Sequence, residues 1–210
     1  MMVKDSWDQP LAAVLEKYGA CSEAVVWAAP YTTAAAGWEA CPKPQWMLWA
    51  LEVAGFCDQS LVRQVGCACV RETPLSDGRK VWDLLTDERS RAAVEVAERF
   101  AVGKANAKEL ASASVAAWSA VRGAESSAAW SAVSFAAATR GAAWSTAATA
   151  AKGAVAAAAW EAAWSAASSA AWGAEMEAAW CTASSAAWAA QCAIIRRIIG
   201  NPFAARAHGC

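Results

Sequence analysis

The chain has 210 residues, with 18 basic and 19 acidic side chains and a formal net charge of −1. Binding of nucleic acid depends largely on neutralising phosphates, so a nearly neutral chain is not expected to bind it. Charged residues make up only 18% of the chain, below the usual quarter, so much of it is expected to be buried. The length allows one domain or two small ones.

The cysteines and the N-terminus predict a cytoplasmic protein with reduced thiols. The first fifteen residues lack the long apolar core of a secretory signal. The eight cysteines are therefore expected as small buried groups rather than disulfides. A zinc site is the alternative, but Cys67 and Cys69 are spaced C-x-C and the only histidine is His208, so neither a metal nor another cofactor is predicted.

Three short helices are predicted at the start of the chain. The first has an apolar face and ends at Gly19. Ser22 is the predicted N-cap of the second, which ends at Pro30, and Thr32 or Thr33 caps the third.

A central buried helix is predicted directly after Pro44. Residues 45–51 read QWMLWAL and are apolar nearly all round, which is typical of a helix enclosed by others. Trp46 and Trp49 fall in it, and for each of them a place in the core is favoured over an exposed contact. Gly55 ends the helix.

Two longer helices follow, with N-caps at Asp58 and Asp87. A polar loop with Asp77-Gly78 separates them, and a short helix is predicted around Trp82. The inner faces are expected to hold Leu61, Val65, Ala68 and Cys69 in the first helix and Ala93, Val96, Ala97 and Phe100 in the second.

Residues 111–192 form a repeat of the tetrad Ala-Ala-X-small. Tryptophan fills X at positions 118, 130, 144, 160, 164, 172, 180 and 188. A tetrad turns about 400°, so X advances by roughly 40° around a helix with each repeat. On one straight helix the Trp side chains would therefore not all face the same neighbouring helix. We expect either short helices with turns at Gly123, Gly141 and Gly153 or one long helix that is contacted on several sides.

The end of the chain carries an Ile-rich helix that should anchor the repeat. Gly200-Asn201-Pro202 ends it, and 204–210 is a predicted tail.

No alternating β-branched run occurs in the sequence, so the predicted fold is all-α with no sheet. We expect an N-terminal helical part, 1–105, and Ala/Trp helices, 106–203, packed on it as one structural unit. The charge-free segment 178–195 is mostly small residues, so a buried helix is favoured over a membrane span.

Three segments resemble the Imm-5-like family of bacterial and phage immunity proteins. They are Cys41-Pro42 followed by Trp46-Met47-Leu48-Trp49, then Cys67-Ala68-Cys69-Val70-Arg71, then the helix from Ala93 to Ala105 that leads into the tetrad repeat. The likeness covers about Leu11 to Phe203. It implies a protein that blocks a toxin by contact, and it transfers no catalytic residue.

The leading prediction is therefore a non-enzymatic binding protein whose partner is a cognate toxin or another protein. Tryptophan and arginine are frequent interface anchors, so the candidate contacts are Trp46, Trp49, Arg71, Trp118 and Trp130. The simpler interpretation of Arg71 is a cation that stabilises a helix C-terminus. Two alternatives stay open: a phage-type protein that sequesters a small nucleotide by stacking, and a self-assembling structural protein or homo-oligomer.

Overall fold

A computed structural model describes residues 7, 9–56, 58–121 and 174–204. These ranges contain eight α-helices and no strand, as the sequence predicted. The helices are α1 Leu11–Lys17, α2 Ser22–Ala28, α3 Ala34–Ala40, α4 Pro44–Val53, α5 Gln59–Glu72, α6 Glu88–Ala101, α7 Ala107–Val121 and α8 Ala174–Ile199. A 3-10 turn, Val81–Leu84, precedes α6. The predicted turns at Gly123, Gly141 and Gly153 and the tail from 205 onward lie outside the described residues.

Side-chain caps begin four of these helices. Thr33, Asp58, Asp87 and Asn106 each accept a backbone N–H of the first turn, at 2.8–3.2 Å. Each bond satisfies one of the donors that a helix start leaves without a partner. The caps predicted for α3, α5 and α6 are thus confirmed, and Asn106 caps α7 in the same way.

The start of α2 differs from the prediction. Ser22 is the first helical residue, and Cys21 occupies the N-cap position in extended geometry without a side-chain bond. The reason is that the first helical hydrogen bond runs from the N–H of Val25 to the carbonyl of Cys21, at 3.1 Å, so that Cys21 rather than Ser22 is the N-cap.

The inner faces of α5 and α6 are rotated from the predicted ones. In α5, Leu61 and Ala68 are only half-buried, whereas Val62 and Val70 are buried. In α6 the buried residues are Ser90, Ala93, Val94, Ala97 and Ala101, and the predicted Val96 and Phe100 are half-buried. The cause is that each helix has neighbours on two sides: α5 lies between α8 and α6, and α6 lies between α5 and α7.

Two hydrophobic clusters form the core. The first is built by α1–α4, the start of α5 and the C-terminal end of α8. The second is built by the end of α5, the 3-10 turn, α6, α7 and the middle of α8. Because α5 and α8 contribute to both, they join the clusters.

The helix α8 continues from the end of the tetrad repeat into the Ile-rich segment without a break. Ile194 and Ile195 are buried in the first cluster. Beyond the helix, the carbonyl of Gly200 accepts a 2.8 Å hydrogen bond from Trp38 Nε1, and Asn201 donates to the carbonyl of Ala35 at 3.1 Å. The end of α8 is therefore fixed on α3. Within the described ranges, no helix combines the length and hydropathy that crossing a membrane requires.

Candidate functional site

A cavity of about 260 Å³ lies in the first cluster, enclosed by α1–α4 and the segment after α8. Its lining is apolar and includes six aromatic side chains: Trp7, Trp27, Trp38, Trp46, Trp49 and Phe203. We call it the tryptophan cavity. Indole rings bring a large apolar area with a defined orientation, so this wall composition suits ligand binding.

The burial of the lining residues distinguishes a floor from a mouth. Trp38 and Met47 are buried and belong to the floor. Cys21, in the turn between α1 and α2, is exposed, and Trp46 and Trp49 are half-buried. The two tryptophans are one turn apart on α4 and therefore lie on the same face of the helix. Because both line the cavity and are partly exposed, we assign them to one side of its mouth.

Gly37 makes room for this arrangement. It is buried in α3 and lines the cavity, and a Cβ atom at this position would overlap Cδ2 of Leu11 and contact the ring of Trp27 at 3.7 Å. The absence of a side chain at Gly37 therefore lets the side chain of Leu11 pack directly against the backbone of α3. A glycine inside a helix costs about 1 kcal/mol relative to alanine, so close packing is the compensating gain here.

Ring contacts hold the aromatic walls in place. The centroids of Trp7 and Phe203 are 4.8 Å apart, and Trp38 meets Phe203 edge-on at 5.7 Å. Trp27 and Trp46, from α2 and α4, are 5.5 Å apart. Such pairs are favourable by roughly 0.5–1.5 kcal/mol beyond the area they bury. Phe203 thus joins Trp7 to Trp38, and Trp27 and Trp46 form a second pair of rings in contact.

No charged side chain lines the tryptophan cavity among the residues that the structure describes. Its buried polar groups are the indole N–H of Trp38, which donates to Gly200, and the thiol of Cys41. The Sγ atom of Cys41 donates to the carbonyl of Lys43 at 3.4 Å, and burial raises the pKa of the thiol. The Cys41 thiol is therefore neutral at physiological pH. The ammonium of Lys43 lies outside, 4.8 Å from the ring centroid of Trp46 and 2.6 Å from Glu23.

The predicted site residues fall in different places. Trp46 and Trp49 share the tryptophan cavity. Arg71 lies over the ring of Trp82, which packs against the second cluster. Trp118 is on α7, but its side chain and the whole of Trp130 are outside the described residues.

Reasoning from the sequence missed Trp7, Trp27, Trp38 and Phe203 as parts of the site. A signal was present, because five of the six tryptophans outside the repeat fall within the first fifty residues. The eight tryptophans of the repeat mask this second concentration. Phe203 carries no comparable signal, since only the return of the chain after α8 brings it to Trp7.

A second groove, of about 380 Å³, runs between α8 and the loop before α4. It is more polar, with Lys43 and Arg196 on its walls, but both cations are already engaged. Arg196 donates to the carbonyls of Trp38 and Cys41 at 2.7–3.1 Å, and Lys43 pairs with Glu23. The groove therefore has the weaker case for a ligand.

Three further cysteines, Cys67, Cys69 and Cys192, are buried, and their thiols are protonated rather than in the reactive thiolate form. Burial raises the pKa of Cys67 and Cys69 far above the usual range and that of Cys192 to about 12. All three thiols are protonated at neutral pH, the form that does not ligate metals. In the ranges described, no group of three or more His, Cys, Asp or Glu side chains is placed to hold a metal ion.

No protein-family model, no curated protein and no solved structure matches this chain. The geometry of the tryptophan cavity and the motifs of the sequence are therefore the basis for assigning a function.

Proposed function

We propose that the chain is a non-enzymatic binding protein, an immunity protein that neutralises a toxin through protein–protein contact. The observation that carries the proposal is the pair Trp46 and Trp49, half-buried and one turn apart at the mouth of an apolar cavity. Energetic hot spots of interfaces are enriched in tryptophan and sit in well-packed, desolvated pockets. Such a mouth suits recognition of an apolar surface.

The composition of the cavity supports binding rather than catalysis as its role. General acid–base catalysis needs a group whose pKa lies near the working pH. Within the described lining, the titratable groups are the thiols of Cys21 and Cys41, and burial moves the pKa of Cys41 upward, away from neutrality. A wall of indole rings and aliphatic groups offers contact area instead.

The immunity assignment rests on the resemblance, and one of its motifs coincides with the cavity. Cys41, Trp46, Met47 and Trp49 belong to the Cys-Pro-x-x-x-Trp-x-Leu-Trp segment, and all four line the tryptophan cavity. The segment that carries the likeness thus also carries the candidate contact surface. We place this activity in the cytoplasm, where the six described cysteines, all free, would stay reduced.

The nucleotide alternative has less support. A nucleotide brings phosphates, which call for cations or helix N-termini. The described lining of the cavity contains no cation, and Arg196 beside the second groove is bound to backbone carbonyls. Self-association remains a separate proposal that light scattering checks directly.

Co-expression tests the proposal. The chain should rescue growth of cells that produce a toxin from an adjacent gene, and Trp49→Ala should weaken both rescue and co-purification by about tenfold or more. Val115→Ala, an exposed position on α7, is the control and should rescue fully. Circular dichroism verifies that both variants fold. Failure to rescue from every neighbouring toxin would reject the immunity assignment.

A further inference from the structure

The size of the tryptophan cavity limits what it can hold. An apolar cavity of about 150 Å³ takes up benzene, whereas pockets for drug-sized ligands begin at about 300 Å³. At about 260 Å³ the tryptophan cavity falls between them. One or two fused rings fill such a space.

The polarity of the walls limits the chemistry of the occupant. Transfer of an ion from water into an apolar site without a partner is strongly unfavourable. The walls contain no charged side chain among the described residues, and the thiol of Cys41 already donates to a carbonyl. An uncharged occupant is therefore required, with at most one weak polar group.

The walls also favour an aromatic occupant over an aliphatic one. Rings from α2, α3 and α4, together with Trp7 and Phe203, surround the space, and they already meet one another in tilted and edge-on geometry. A flat guest extends the same contacts, each favourable by more than its buried area alone.

We propose that the tryptophan cavity binds a free, uncharged aromatic molecule of one or two rings, with Trp38 and Met47 as the floor and Trp46 and Trp49 as the mouth. The inference goes beyond the toxin contact and does not depend on it. A free molecule of one or two rings fills the volume of about 260 Å³ by itself, so no tether to a backbone is needed.

The test uses the full chain with indole and naphthalene as probes. At about ten times its dissociation constant, each probe should raise the melting temperature by about 3–5 °C. Saturation-transfer NMR should show magnetisation passing from the protein to the probe. Indole-3-acetate at pH 7 should bind at least about tenfold more weakly, because its carboxylate has no partner in the cavity.

A matched pair of substitutions locates the probe. Ala50 and Ala12 are both half-buried helical alanines, but only Ala50 lines the cavity. Ala50→Leu should occupy part of the space and weaken indole binding by about tenfold or more. Ala12→Leu should leave indole binding unchanged. Equal binding of indole to both variants, or no binding to the wild type at millimolar concentration, overturns the inference.

N-acetyl-tryptophanamide separates a free ligand from the side chain of a partner protein. Its two amide groups imitate a peptide backbone and would have to leave water, so it should bind more weakly than indole. Tighter binding than indole would show that the cavity receives a tethered side chain, and it would overturn the free-ligand assignment. The rescue experiment uses no probe, so either proposal can fail while the other stands.

Discussion

The guanidinium of Arg71 lies over the ring of Trp82, with Cζ 3.5 Å from the ring centroid. The same guanidinium donates two hydrogen bonds to Glu98, at 2.8 and 2.9 Å. These bonds hold the pKa of Arg71 above its usual value. Arg71 thereby joins α5 to the 3-10 turn and to α6, and a role in partner recognition stays a prediction.

Replacing Arg71 by alanine should lower the free energy of unfolding by about 1–3 kcal/mol, because a bidentate ion pair and a cation–π contact are lost together. Arg71→Lys should recover only part of the loss, since an ammonium cannot make the two-pronged bond. Urea unfolding measures both. Arg79→Ala, which removes an exposed ion pair with Asp77, is the control and should leave stability unchanged. Equal effects at Arg71 and Arg79 would contradict this assignment.

The contact of Gly37 with Leu11 predicts coupled substitutions. Gly37→Ala alone should destabilise by about 1–3 kcal/mol, because the new methyl group overlaps Leu11 Cδ2. Leu11→Ala alone should cost about 2–5 kcal/mol. The double variant should be more stable than the sum of the single effects predicts, by about 0.5–3 kcal/mol. Urea unfolding of the wild type, both single variants and the double variant measures this difference. If the two single effects simply add, the Cβ atom introduced at position 37 is accommodated by residues other than Leu11, and the prediction is wrong.

Thiol reactivity should follow burial. Cys21 and Cys181 are exposed, whereas Cys67, Cys69 and Cys192 are buried with raised pKa values. A raised pKa lowers the fraction of thiolate, which is the reactive form. Iodoacetamide at pH 8 should therefore label Cys21 and Cys181 before Cys67, Cys69 and Cys192, as followed by peptide mass spectrometry. Urea should remove the difference, and uniform labelling without urea would refute it.

Asp87 should contribute stability that acid removes. Hydrogen bonds from the side chain and the backbone N–H of Arg89 hold the pKa of Asp87 below its usual value. A depressed pKa means that the contribution is present at neutral pH and is lost as the pH falls through the lowered value, below about pH 4.

Two variants separate the cap from the charge. Asp87→Ala removes the N-cap and should cost about 1 kcal/mol at pH 7. Asp87→Asn keeps the cap, so it should cost less, and its small deficit against the wild type should shrink as the pH falls below about 4. Urea unfolding at pH 7 and pH 3 measures this difference. If the stability deficit of Asp87→Asn were larger at pH 3 than at pH 7, the pKa of Asp87 would not be lowered by folding, and the prediction would be wrong.

Local signals predicted the helices well and the site only in part. The caps at Thr33, Asp58 and Asp87 depend on neighbours three residues away or fewer, so the sequence carries them directly. The tryptophan cavity depends on contacts across the whole chain, such as Phe203 on Trp7. Periodicity within one helix does not encode such contacts, which is why it indicates Trp46 and Trp49 but not the opposite wall.

The hydrogen bond from Trp38 to Gly200 has a consequence for synthesis. The two residues are 162 positions apart, and the first cluster includes Ile195 and Phe203 as well. At about 5–20 residues per second, a ribosome needs roughly 8–30 s to make the intervening chain. During that interval the nascent N-terminal helices present their indole rings without the segment that covers them. We expect ribosome-bound chains that stop before α8 to recruit chaperones. Once α8 has left the ribosome, it should cover these indole rings, and the chaperones should dissociate.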